Sequence, residues 1–126
     1  IAGDFNAGSR SAQVLQILKK YGLVDDSPIP IDQNGEAATN SSRSKDHDFV
    51  LTNDLLKQHI KPLNINNESF PNGLVFDSRV YSPLSDLAPV QKNDSGASNM
   101  QHMAVIKVFL IPSNGETATA DVTSKP

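Results

Sequence analysis

Apolar positions in this chain fall into a few short blocks separated by long polar stretches, and the blocks differ in period. In SRSAQVLQILKKYG, residues 9–22, Val14, Ile17, Leu18 and Tyr21 stand at i, i+3, i+4 and i+7, which predicts a helix with those four facing the core. Ser9 or Ser11 can cap its start, and Lys19 and Lys20 before Gly22 suit its end. DHDFVLT, residues 46–52, alternates instead, with His47, Phe49 and Leu51 on one face and Asp48, Val50 and Thr52 on the other, and predicts a strand. HMAVIKVFLI, residues 102–111, is the longest apolar run, and its β-branched content predicts a strand buried on nearly both faces. The opening IAGDFN reads as the end of a buried strand running into a loop. NDLLKQH looks like a short helical turn, IKPLNINN like a strand with Pro62 at an edge, and FPNGLVFDSRVY mixes a turn signal with a short apolar run.

Two stretches, Leu23–Lys45 and Ser82–Gln101, show no period and are rich in Pro, Asn, Asp, Ser and Gly. Loops of that length inside a compact domain are usually functional or disordered. After Pro112 the tail SNGETATADVTSKP is small and polar and reads as a linker or frayed end. A hydrophobic fraction of 37% and a mean hydropathy of -0.35 over 126 residues leave one domain with a thin core. The apolar residue at position 1, with no basic leader before it, predicts a chain cut from a longer one, either a processed product or an incomplete reading frame.

Charge changes the picture little. A net charge of -3 supplies no basic field for gathering nucleic acid by counterion release, so contact with phosphate must be local or carried by a metal. The absence of cysteine removes disulfides, zinc-thiolate sites and thiol nucleophiles. No stretch has the apolar length to cross a bilayer as a helix.

Candidate chemistry sits at the mouths of the predicted strands: Asp4 with Asn6 after the first, Asp48 within the middle one, and His102 at the entrance of the last. Asp and Asn after a strand are also ordinary turn formers, and a single His at a strand end is commonly a surface residue. Asp48 is harder to explain that way, because a carboxylate beside Phe49, Val50 and Leu51 is costly to bury unless a donor or cation faces it. An imidazole would serve, and an Asp that holds a His in one tautomer is an orienting pair found in hydrolytic sites. A second carboxylate beside an amide, Asp4 and Asn6, can take a proton from water while the amide donates to a non-bridging oxygen. His47 faces away from Asp48 on the strand reading and so is expected outside the site, while His59, Asp46 and Asp86 read as solvated groups.

In order and type these motifs resemble the endonuclease/exonuclease/phosphatase superfamily, which has the deoxyribonuclease-I-like fold. The residues that carry the resemblance are GDFN at 3–6, DHDFVL at 46–51 and MQHMAV at 100–105, with a helix after the first, so that it spans residues 1–112. It implies an α+β fold, the C-terminal half of a four-layer α/β/β/α sandwich with two mixed β-sheets. It implies metal-dependent phosphodiester hydrolysis in which Asp4 activates water, Asn6 contacts the phosphate, and Asp48 orients His102, which stabilises charge on the phosphoryl oxygens. The implied cofactor is a divalent cation, Mg2+ first, with Mn2+ or Ca2+ as variants. Arg43 and Lys45, ahead of the middle strand, are the nearest local phosphate binders.

Two departures qualify the resemblance. Gln101 stands where the family usually has an Asp before the catalytic His, so a metal or substrate contact there would rest on an uncharged amide. The family's principal metal-binding Asn and Glu belong to an N-terminal half that this chain does not contain, and that half is the first expected partner. Without it, exposed strand faces predict a marginal or self-associating chain. The substrate class stays open among DNA, RNA, a sphingolipid headgroup and an inositol phosphate, with a nuclease first. A non-catalytic binding or structural fragment of the same fold is the reading from a different class. A cysteine-free, Asn/Ser/Thr-rich chain is compatible with an exported bacterial enzyme.

Overall fold

A computed structural model describes residues 1–113, which form a mixed α+β chain of short antiparallel strands with few helices. In chain order these are β1 (Ala2–Gly8), α1 (Gln13–Gly22), β2 (Asp46–Val50), the single-turn α2 (Asp54–Lys57), β3 (Ile60–Lys61), β4 (Leu63–Ile65), β5 (Glu68–Phe70), β6 (Leu74–Phe76), β7 (Ala104–Ile106) and β8 (Val108–Phe109). Short 3-10 turns at Leu84–Leu87 and Asp94–Gly96 interrupt the second long loop. Among the described residues the strands pair as β1–β2, β3–β8, β4–β5 and β6–β7, all antiparallel, and β2 lies against β7. The polar tail expected after Pro112 lies, beyond Ser113, outside the described residues. No helix among them is long and apolar enough to cross a membrane.

The middle strand follows its alternation, with Phe49 and Leu51 buried from one face. They pack with Leu15 of α1, and Phe5, Ala7, Leu18 and Val24 close around them. A second cluster joins Phe70, Leu74 and Tyr81, ringed by Leu63, Ile65, Phe76, Leu84 and Leu87. Pro62 divides residues 60–65 into β3 and β4, as a residue without an N–H must when it stands in a ladder. Asn53 caps α2 by accepting a hydrogen bond from the Leu56 N–H at 2.9 Å.

Four expectations from the pattern are corrected. In α1 only Leu18 of the four predicted core residues packs inward; Val14, Ile17 and Tyr21 are exposed, Tyr21 by 72%, and Leu15 takes the buried position. The sheet below offers a narrow apolar strip, Phe5 with Phe49 and Leu51, which the Leu15 and Leu18 side chains fill. Ser9 and Ser11 bond to each other at 3.0 Å, and Ala12, not a serine, holds the cap position. β1 is largely exposed, because it has a single strand neighbour among the described residues, and it runs on to Gly8 through a register shift between Asp4 and Gly8. The 102–111 run is neither continuous nor doubly buried. It breaks at Lys107, whose ammonium donates to the Asp26 carbonyl at 2.7 Å, so β7 and β8 join different partners and Leu110 and Ile111 end exposed.

The 23–45 loop is tied down by isolated bridges, Asp25 to Thr52, Ile31 to Leu74 and Asn40 to His102. A buried ion network fixes its far end. The Arg43 guanidinium donates to Asp32 at 2.7 Å and to Asp77 at 3.1 Å, and Arg79 donates to Asp77 at 2.7 Å. Burial acts to raise the Asp77 carboxyl, but the hydrogen bonds and charge of Arg79, with Arg43 added, outweigh it and hold the group below its ordinary 3.8.

Candidate functional site

Asp4 of β1 and Asp48 of β2 are direct cross-strand partners, so both carboxylates stand on one face of the pair. Like charges placed opposite each other destabilise a sheet unless a cation stands between them, and His102 occupies that position. Its Nδ1 lies 2.8 Å from Asp48 Oδ2, and its Nε2 lies 3.8 Å from Asp4 Oδ2. The hydrogen bond to Asp48 raises the His102 pKa above its ordinary 6.5; partial burial opposes this, and the charges of Asp48 and Asp4 add to it. No Lys or Arg among the described residues pairs with either carboxylate; Arg10 is taken up by Asp26 and Asp46, and Lys57 by Asp25.

GDFN has a turn built into it. Asp4 Oδ1 accepts the Asn6 N–H at 2.8 Å, and the Asn6 side-chain amide donates to Asp4 Oδ2 at 3.2 Å. Asn6 sits at φ 47, a left-handed conformation that Asn tolerates, within the bulged part of β1. The turn fixes the Asp4 carboxylate and leaves one Asn6 amide hydrogen for another acceptor.

Thr39, which no sequence motif singled out, holds this arrangement together. Its hydroxyl oxygen accepts hydrogen bonds from the His47 and Asp48 N–H groups, both at 3.0 Å, and its carbonyl accepts from the Met103 N–H at 2.7 Å. One buried residue thus joins the Asp48 strand to the chain carrying His102. The only sequence signal was its place in a long loop whose length asked for a function.

Three expected roles come out differently. His47 was expected away from the site, yet its ring centre lies 5.3 Å from that of His102, and one ligand atom each from Asp4, His47 and His102 fall within 4.8 Å of one another. His47 stands at the end of β2 that faces the register shift of β1, where a bulge adds twist and strict alternation no longer separates the faces. Arg43, expected as a phosphate binder, is instead spent on Asp32, Asp77 and the Glu36 carbonyl. Gln101, expected to touch metal or substrate, is exposed, and its side chain makes no hydrogen bond among the described residues; only its carbonyl is used, accepting from the Ser41 N–H at 2.8 Å. A shallow groove of about 290 Å³ runs beside the pair, lined by Gly3, Asp4, Asp48, Val50, Met103 and Val105.

The ion implied by the resemblance is Mg2+, which takes oxygen ligands in near-octahedral geometry. Here the convergent donors are one carboxylate and two imidazoles, and Asp48 is engaged by His102. That set does not fit Mg2+. Comparison of the chain with protein-family models, with curated proteins and with solved structures finds no match to any of them.

Proposed function

We propose that this chain contributes one side of a phosphodiester-hydrolysing site, with a nucleic acid as the first substrate to test. The observation that carries the reading is the Asp48–His102 hydrogen bond of 2.8 Å, formed across 54 residues, with the other imidazole nitrogen turned toward Asp4. Asp4 takes a proton from water as the water oxygen bonds to phosphorus, and the ester bond to the leaving oxygen breaks. The free amide hydrogen of Asn6 and the His102 Nε2–H donate to the phosphoryl oxygens, where negative charge accumulates. The leaving oxygen takes its proton from solvent. Asp48 keeps the imidazole in one orientation and favours its charged form. No step is assigned to Mg2+.

The same proposal includes the architecture. The chain forms the C-terminal half of a four-layer sandwich, and residues outside it supply a second half with further active-site groups. The exposed Ile1, Val14, Ile17 and Tyr21, and the outer edge of β1, which no strand among the described residues pairs, support that part of the reading. A sphingomyelinase-type or phosphatase substrate belongs to the same chemistry. A non-catalytic role is favoured by one observation, the uncharged and unengaged Gln101 side chain.

The test is hydrolysis of single- and double-stranded DNA, RNA and a chromogenic phosphodiester by the full-length protein, with each divalent cation supplied in turn. Asp4→Ala and His102→Ala are expected to lower the rate by about 10²- to 10⁴-fold. Near-normal activity in either variant overturns the assignment, and an inert parent protein of normal stability favours the binding role.

A further inference from the structure

From the donor set Asp4, His47 and His102 we infer that this site binds a first-row transition cation, zinc above all, and does so in preference to Mg2+. The inference concerns the same site and rests on that reading only for where the site is; with Zn2+ bound, His102 Nε2 and Asp4 are ligands in place of the donor and base roles proposed above. One carboxylate and two imidazoles form the N2O set that suits a three-ligand zinc site with an open fourth position, whereas magnesium favours oxygen.

The spacing is close to what such an ion requires. With bonds of about 2.0 Å, ligand atoms on a tetrahedral ion stand about 3.3 Å apart, and two bound imidazoles have ring centres about 5 Å apart. His102 Nε2 and Asp4 Oδ2 are 3.8 Å apart, and the His47 and His102 ring centres 5.3 Å apart. Small side-chain adjustments close the remaining gap.

The surroundings supply three further supports. Asp48 holds His102 Nδ1, so the imidazole offers Nε2 outward, which is how an outer carboxylate prepares a histidine for a metal. His47 Nδ1 is buried with no hydrogen-bond partner among the described residues, so its ring is the less committed of the two. The facing Asp4 and Asp48 carboxylates make a locally acidic pair that no Lys or Arg among the described residues neutralises, and a dication offsets it. His47 is the decisive member. The superfamily resemblance gives it no role, and without it the site holds one imidazole and one free carboxylate.

The experiment is calorimetric titration of zinc-free protein with Zn2+, and separately with Mg2+, followed by long-range 1H–15N NMR of the histidine side chains. One Zn2+ is expected per chain, with the His47 and His102 ring nitrogens shifting together and Mg2+ binding at least about 100-fold more weakly. His47→Gln is expected to weaken Zn2+ by about tenfold or more, and Asp48→Asn by about 10- to 100-fold. His59→Gln, in the turn between α2 and β3, is expected to leave it unchanged. Circular dichroism melts of each variant separate lost binding from lost folding. Absence of stoichiometric Zn2+, or parental affinity in a folded His47→Gln protein, overturns the inference. Mg2+ bound as tightly as Zn2+ would overturn it too, and phosphodiester hydrolysis by that protein would sustain the hydrolytic reading; tight Zn2+ binding by a protein inert toward every phosphodiester would do the reverse.

Discussion

His102 brings together most of the chemistry that separate residues supply. Its contact with Asp48 raises its pKa, so the folded protein holds the proton more tightly than the unfolded chain. The sign of the linkage follows: the stability from this pair is fully present below the unfolded value of 6.5 and is lost as pH rises through the higher folded value. In metal-free protein, NMR titration is therefore expected to place the His102 midpoint above 6.5, and Asp48→Asn to bring it back toward 6.5. An unchanged midpoint in the Asp48 variant would show that the contact does not govern the proton. GDFN, Asp48 and His102 were legible as polar residues at strand mouths. His47 was not, because a period of two assumes a regular strand, and the register shift in β1 was not visible in the sequence.

At the level of elements, Thr39 matters more than its loop position suggested. Thr39→Val keeps the shape but removes the oxygen that receives the His47 and Asp48 N–H groups. Two donors left without an acceptor are expected to cost about 1–3 kcal/mol in urea unfolding, with Thr39→Ser close to the parent. The same Val variant is expected to lower the His102 midpoint, since the lost bonds fix the backbone that presents the Asp48 carboxylate to His102. A parent-like midpoint and stability would remove Thr39 from the supporting structure. α1 carries the complementary lesson. Val14, Ile17 and Tyr21 do form a helical stripe, but Leu15 and Leu18 form another, and the period alone could not say which meets the sheet.

Over the whole molecule, the separate small cores leave much of the long-loop arrangement to polar contacts. Asp77, 1% exposed, receives both Arg43 and Arg79. Its depressed pKa means that its contribution is present above the unfolded value of 3.8 and is lost as pH falls through the lower folded value. Asp77→Asn is expected to cost about 3–5 kcal/mol at neutral pH, because two guanidinium groups lose a buried partner. It is also expected to flatten the acid limb of a stability-against-pH curve measured by chemical denaturation. A variant as stable as the parent at pH 7 would show that the network is dispensable.

The sequence by itself determined the mixed α+β composition, the place of the middle strand, the extent of the loops and the polar residues from which a site can be built. These depend on local period, proline chemistry and composition, which a chain carries without reference to its fold. Only the tertiary structure decided which stripe of α1 is buried, that the 102–111 run divides at Lys107, that Arg43 is taken up by aspartates, and that His47 joins Asp4 and His102. Each of these depends on what stands opposite in space, contributed by segments tens of residues away, and no local pattern encodes that neighbour.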